Sequence, residues 1–272
     1  MDLLKNLSAS QPIGVFDSGI GGLTVAHAIA NRLPFEQLIY FGDTAHLPYG
    51  DKSGDAIRYY SLKIAKFLLE QEAKMIVIAC NSASTAASRV LAEFFPDQVH
   101  FVNVVDPLVE AVVSRNLKKV GIIATKATIS SGVYQQQLKQ AQPDLEVFAL
   151  ATPLLVPMIE EGYADSRISQ PIIDNYLSDP GFENMDALLL ACTHYPLIRQ
   201  EIEDYFQGKV EVLDSTLVAT DAVYDSLERS NLLSTSLQTP HQFYVSDHTP
   251  SFEATTKLFY GAEIQLKHFP LW

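Results

Sequence analysis

Met75-Ile76-Val77-Ile78-Ala79-Cys80-Asn81-Ser82 and Ala187-Leu188-Leu189-Leu190-Ala191-Cys192-Thr193-His194 read alike. Each is an unbroken apolar run that ends in Ala-Cys, continues with polar residues and leads towards a helix. Apolar runs without alternation suit strands covered on both faces, as in parallel sheets. The two copies lie about one domain length apart, which suggests a chain of two related α/β halves.

Pro12–Phe16, Gln37–Phe41, Val99–Val105, Lys119–Ala124, Leu145–Ala149 and Val210–Leu213 read as further strands. Helices are expected over Leu23–Leu33, Asp55–Glu72 and Ala83–Phe94. In the second, Ile57, Tyr60, Ile64, Phe67 and Leu68 recur at spacings of three and four, one face of a helix. Alternating strands and helices predict α/β layers with right-handed crossovers. The expectation is two pseudo-symmetric α/β domains with mainly parallel sheets and a cleft between them. Residues 1–106, completed by about 215–272, would form the first, and 107–214 the second. The chain would cross at Asp106-Pro107. Tyr244, Phe252 and Phe259 read as core aromatics.

The chain has 272 residues, 47% of them hydrophobic and 19% charged, a globular composition. A net charge of −13 repels phosphate backbones and argues against nucleic acid as a partner. Met1–Asn6 lacks the basic and apolar pattern of a signal peptide. The apolar runs are too short to span a bilayer, so no membrane and a cytoplasmic location are expected.

Cys80 and Cys192 are the only cysteines. In open parallel sheets ligands bind beyond the carboxyl ends of the strands, where both would sit. A helix N-terminus after each is expected to lower the thiol from its ordinary pKa near 8.5. The plainer reading is two small buried hydrophobes. With no C-x-x-C and no His pair at i, i+4, a metal site is not expected. Two thiols across a cleft suit inversion of a carbon bearing an acidic C–H, which needs a base on one face and an acid on the other.

Four segments together carry a resemblance. They are Ile13-Gly14-Val15-Phe16-Asp17-Ser18-Gly19-Ile20-Gly21-Gly22-Leu23-Thr24-Val25, Tyr40-Phe41-Gly42-Asp43-Thr44-Ala45-His46-Leu47-Pro48-Tyr49-Gly50, Ala79-Cys80-Asn81-Ser82-Ala83-Ser84 and Ala191-Cys192-Thr193-His194-Tyr195-Pro196-Leu197. The chain resembles the glutamate racemases, from about residue 12 to residue 216. The first segment is not the G-x-G-x-x-G of a dinucleotide loop, and Asp17 would oppose a pyrophosphate. The resemblance implies a cofactor-independent isomerase that supplies D-glutamate for peptidoglycan. Cys80 would deprotonate the D-enantiomer and Cys192 the L-enantiomer. Asp17 would assist Cys80, His194 would assist Cys192, and Glu160, with Glu161 directly after it, matches a further carboxylate of the family. Substrate contacts would fall to Asp17, Ser18, Pro48, Tyr49, Gly50, Asn81, Ser82, Thr125, Thr128, Thr193 and His194. Thr125 and Thr128 also read as capping hydroxyls at a strand-to-helix turn. These segments hold no Arg, so a dicarboxylate would rest on hydroxyls, amides and backbone N–H groups. The family usually has Thr where this chain has Ser82, which keeps the hydroxyl and drops a methyl.

The resemblance leaves monomer and homodimer open. Three other functions stand beside it: a sister racemase of the aspartate or hydantoin type, an amino-acid-binding module without turnover, and a dithiol redox protein.

Overall fold

A computed structural model of the chain describes residues 7–164, 166–236 and 240–272; the Met1–Asn6 segment read above lies outside them. Among the described residues ten strands form two sheets. The first contains β1 (Ile13–Asp17), β2 (Leu38–Gly42), β3 (Met75–Ile78), β4 (His100–Asn103), β9 (Gln242–Val245) and β10 (Leu266–His268). The second contains β5 (Lys119–Ala124), β6 (Glu146–Ala151), β7 (Ala187–Ala191) and β8 (Glu211–Asp214). All described pairings are parallel.

The strand orders expose the internal symmetry. The first sheet runs β10-β9-β2-β1-β3-β4 and the second β6-β5-β7-β8. Matching β1 with β5 superposes β2-β1-β3-β4 on β6-β5-β7-β8. Cys80 directly follows the Ala79 that leaves β3, and Cys192 follows the last residue of β7. The two cysteines therefore stand at equivalent strand tips.

Burial explains the strand sequences. Every residue of β1, β2, β3 and β7 is buried, so apolar side chains face helices on both sides. The helix Gly54–Glu70 begins with the Ser53 hydroxyl accepting from the Ala56 N–H, an N-cap that satisfies one orphan donor. It buries Ile57, Ile64, Phe67 and Leu68 as the periodicity requires. Tyr60 departs from that face: it is half-buried and turns to His46 and Trp272.

Several expectations need correction. Val99–Val105 pairs only over His100–Asn103, because Asn103 Oδ1 accepts from the Val105 and Asp106 N–H groups and turns the chain. The strand expected at Leu145–Ala149 runs Glu146–Ala151. Neither β9 nor β10 reads as a strand in the sequence, yet β9 pairs with β2 and β10 with β9. Of the aromatics expected in the core, Phe259 is buried, whereas Tyr244 and Phe252 are half-buried and Phe243 takes the inward place on β9. Among the described residues no helix is long and apolar enough to cross a membrane.

Candidate active site

The carboxyl ends of β1 and β3 meet those of β5 and β7 around a cavity between the sheets. Ser18, Gly19, Leu47, Pro48, Tyr49, Gly50, Cys80, Asn81, Ser82, Thr125, Val156, Glu160, Cys192, Thr193 and His194 line it. Twelve of the residues singled out from the sequence are thus brought together. Asp17 and Thr128 do not line it; they are buried directly behind it.

On one side, Cys80 caps the helix Asn81–Phe94. Its Sγ accepts from the Ala83 N–H at 3.5 Å and lies 3.6 Å from Ser18 Oγ. Asp17 Oδ2 accepts from the Gly19 N–H at 3.0 Å, while its buried Oδ1 has no partner. The helix terminus does not lower this thiol. Burial and the nearby Asp17 charge push Cys80 up to about 12, outweighing the Ala83 and Ser18 hydrogen bonds that favour the thiolate. Burial likewise raises Asp17 above the usual carboxylate range, against His194 and three backbone N–H groups that lower it.

On the other side, the expected helix after Cys192 is absent. A 3-10 turn, Tyr195–Ile198, comes first, and the α-helix starts only at Arg199, because Pro196 needs no N–H partner at the head of the turn. The neighbour of Cys192 is instead a side chain: His194 Nδ1 lies 3.8 Å from Sγ, and His194 Nε2 lies 2.8 Å from Glu160 Oε1. Burial works against a charged imidazole here, but the hydrogen bonds and charges of Cys192 and Glu160 prevail and push His194 up to about 10. His194 holds its proton below that value and loses it as pH rises through it. In Glu160→Gln the stabilising carboxylate is gone, so the alkaline limb of a kcat/KM profile moves to lower pH. An unmoved limb would show that Glu160 does not govern this imidazole.

Neutral groups complete the wall. Ser82 Oγ lies 2.9 Å from Thr125 Oγ1 and 3.2 Å from Thr128 Oγ1, joining the two halves through hydroxyls. Thr125 also caps the helix Lys126–Ser131, so the capping and lining readings both hold. Asn81 is fixed by Tyr134, whose OH donates to Oδ1 at 2.6 Å, and by Ser215 at 3.4 Å from Nδ2. Among the described residues no Arg or Lys lines the cavity.

Sequence reasoning missed the parts played by Thr24, Phe259 and Gly21, and the room that Gly50 makes for Thr125. The Thr24 hydroxyl donates to the Thr193 carbonyl at 3.0 Å across the halves. Phe259 sets its ring edge-on to His194, centroids 5.1 Å apart. A Cβ on Gly21 would meet His194 Cε1 at 2.2 Å, and a Cβ on Gly50 would meet Thr125 Cβ at 2.9 Å. The glycines were visible in quoted motifs, but what they make room for was not. Phe259 carried no local signal beyond its hydrophobicity.

This architecture has known relatives. The sequence model of the Asp/Glu/Hydantoin racemase family matches residues 20–223. The chain is 37% identical to the glutamate racemase of Syntrophus aciditrophicus over 262 residues, 96% of each chain. It is 39% identical to that of Geobacter metallireducens over 255 residues, 93% of each. Among solved structures, the glutamate racemase of Francisella tularensis in complex with D-glutamate superposes with a TM-score of 0.91 at 39% identity, covering 97% of this chain and 98% of that one. An aspartate racemase from Picrophilus torridus, at 20% identity and a TM-score of 0.57, shares the fold.

Proposed function

The chain belongs to the Asp/Glu/hydantoin racemase family, within its glutamate racemase group, and is an isomerase; from that premise we propose that it interconverts L- and D-glutamate by proton transfer between two thiols. The observation that carries the reading is the pair Cys80 and Cys192 at equivalent strand tips, each 6% exposed and lining one cavity.

In this reading glutamate binds with Cα between the sulfurs. Its carboxylates are held by the hydroxyls and amides of Ser18, Asn81, Ser82, Thr125 and Thr193 and by backbone N–H groups around Pro48–Gly50. With L-glutamate, the Cys192 thiolate takes the Cα proton. The C–H electron pair delocalises towards the α-carboxylate, then returns to form a new C–H bond with the proton donated by the Cys80 thiol on the opposite face. The sulfurs have then exchanged roles, and D-glutamate runs the steps in reverse. The imidazolium of His194, held by Glu160, sets a positive charge beside Cys192. Asp17 stands beside Cys80, whose raised pKa suits the acid that awaits the L-enantiomer. Sites of this kind gain from polar groups fixed in advance in a space closed to water. The family resemblance supports a cytoplasmic role supplying D-glutamate for peptidoglycan.

Proton NMR with L-glutamate in D₂O, with no cofactor added, tests this. Loss of the Cα–H signal together with falling optical rotation is expected. Unchanged glutamate, with exchange of another amino acid in a substrate panel, would move the activity to that substrate.

A further inference from the structure

Asp43 directly follows β2, is fully buried and lies outside the lining of the cavity. Its carboxylate accepts from four side chains. Tyr49 OH donates to Oδ2 at 2.7 Å, and His46 Nδ1 lies 3.0 and 3.1 Å from the two oxygens. Ser246 Oγ donates to Oδ1 at 2.7 Å and Trp272 Nε1 at 3.0 Å. Two donors belong to the turn that carries the cavity residues Pro48, Tyr49 and Gly50. The other two come from the C-terminal segment, some 200 positions away. Four side chains converging on one carboxyl group fix the turn to the segment that joins the sheet through β9 and β10.

Packing points the same way. The His46 ring stacks on Tyr60 with centroids 4.1 Å apart, and Trp272 meets His46 edge-on at 4.4 Å and Tyr60 at 5.1 Å. The second half has a reduced counterpart. Thr152 directly follows β6, and its hydroxyl lies 2.6 Å from Tyr195 OH in the segment that follows Cys192. Each half thus ties a tyrosine near the cavity to the residue after its second strand, and the first half ties it to the C-terminal segment as well.

Resting on the reading of the cavity as the substrate site, we propose that Asp43 is a positioning residue for the turn Pro48–Gly50 and that the Trp272 indole, by donating to it, sets how tightly the enzyme holds glutamate. Neither residue touches the reacting carbon, so substrate affinity responds and the proton-transfer steps do not.

Trp272→Phe keeps the ring packing and deletes the N–H; Asp43→Asn replaces the acceptor. Loss of one charge-assisted bond predicts KM for both enantiomers up about fivefold in Trp272→Phe, with kcat within about twofold. Asp43→Asn should raise KM by about tenfold or more, since an amide nitrogen would face groups that also donate. Because enantiomers are equal in free energy, kcat/KM must fall equally in both directions. A lowered melting temperature with KM unchanged in Trp272→Phe would reduce the cluster to a fold-stabilising role and overturn the proposal, as would a fall in kcat alone. Should Asp43→Asn fail to fold, Trp272→Phe decides by itself. Racemisation that survives loss of either cysteine would instead overturn the site reading, whatever Asp43 does.

Discussion

Cys80→Ala and Cys192→Ala are each expected to cripple racemisation in both directions, with kcat/KM for L- and D-glutamate falling by about two to four orders of magnitude, the usual contribution of a placed acid or base. The loss must be two-way. In the proposed mechanism one thiol removes the proton and the other returns it on the opposite face, so neither direction would run with one sulfur. Both cysteines are small buried groups, and alanine fills most of the space, so the variants should fold. Cys80 forfeits only a weak cap on the Ala83 N–H. Polarimetry from both enantiomers, with D₂O exchange beside it, separates the cases. A trace of Cα exchange without inversion is compatible with one remaining thiol. Turnover within tenfold of the parent in either variant would end the two-thiol account.

The second large effect is expected at a residue with no side chain. A methyl group on Gly21 would sit 2.2 Å from His194 Cε1, 2.4 Å from Nδ1 and 2.8 Å from Thr193 Oγ1. The imidazole has little room to yield, with the Phe259 ring on it and Glu160 bonded to Nε2. Gly21→Ala should therefore push His194 off Cys192, and a misplacement on the order of 1 Å predicts about a 100-fold loss in kcat/KM. Gly208→Ala is the contrast. Gly208 has φ +71 and nothing within 4 Å of an added Cβ, so it should cost roughly 1–2 kcal/mol of stability through backbone strain and leave turnover intact. If Gly21→Ala keeps full activity, the His194 pocket is softer than its packing indicates.

These effects divide by what a linear sequence can express. The apolar runs ending at Ala79-Cys80 and Ala191-Cys192 were legible because a strand buried on both faces must be continuously apolar, and their likeness exposed the repeat that the strand orders display. The four motif segments pointed to the family and to most of the cavity lining. The sign of the Cys80 shift was not legible. Proximity to a helix N-terminus is a local property and lowers a thiol, whereas burial, which dominates here, depends on what the rest of the chain packs against it. The resemblance placed His194 beside Cys192 and Glu160 near the site, but the sequence did not show that a 3-10 turn would follow Cys192 directly or that Glu160, 34 positions away, would bond the imidazole.

Legible in the linear sequence were the strands and helices up to β8, the place of both thiols at strand tips and the hydroxyl-rich, cation-poor character of the segments around them. Each follows from periodicity or from residue type within a dozen positions. Only the folded packing shows that β9 and β10, four and three residues long, extend the first sheet beyond β2, that Phe259 braces His194, and that Trp272 and Ser246 reach Asp43. Strands so short carry almost no periodic signal; β9 meets β2 some 200 positions away and β10 joins the sheet only through β9, so only the folded packing brings these contacts together.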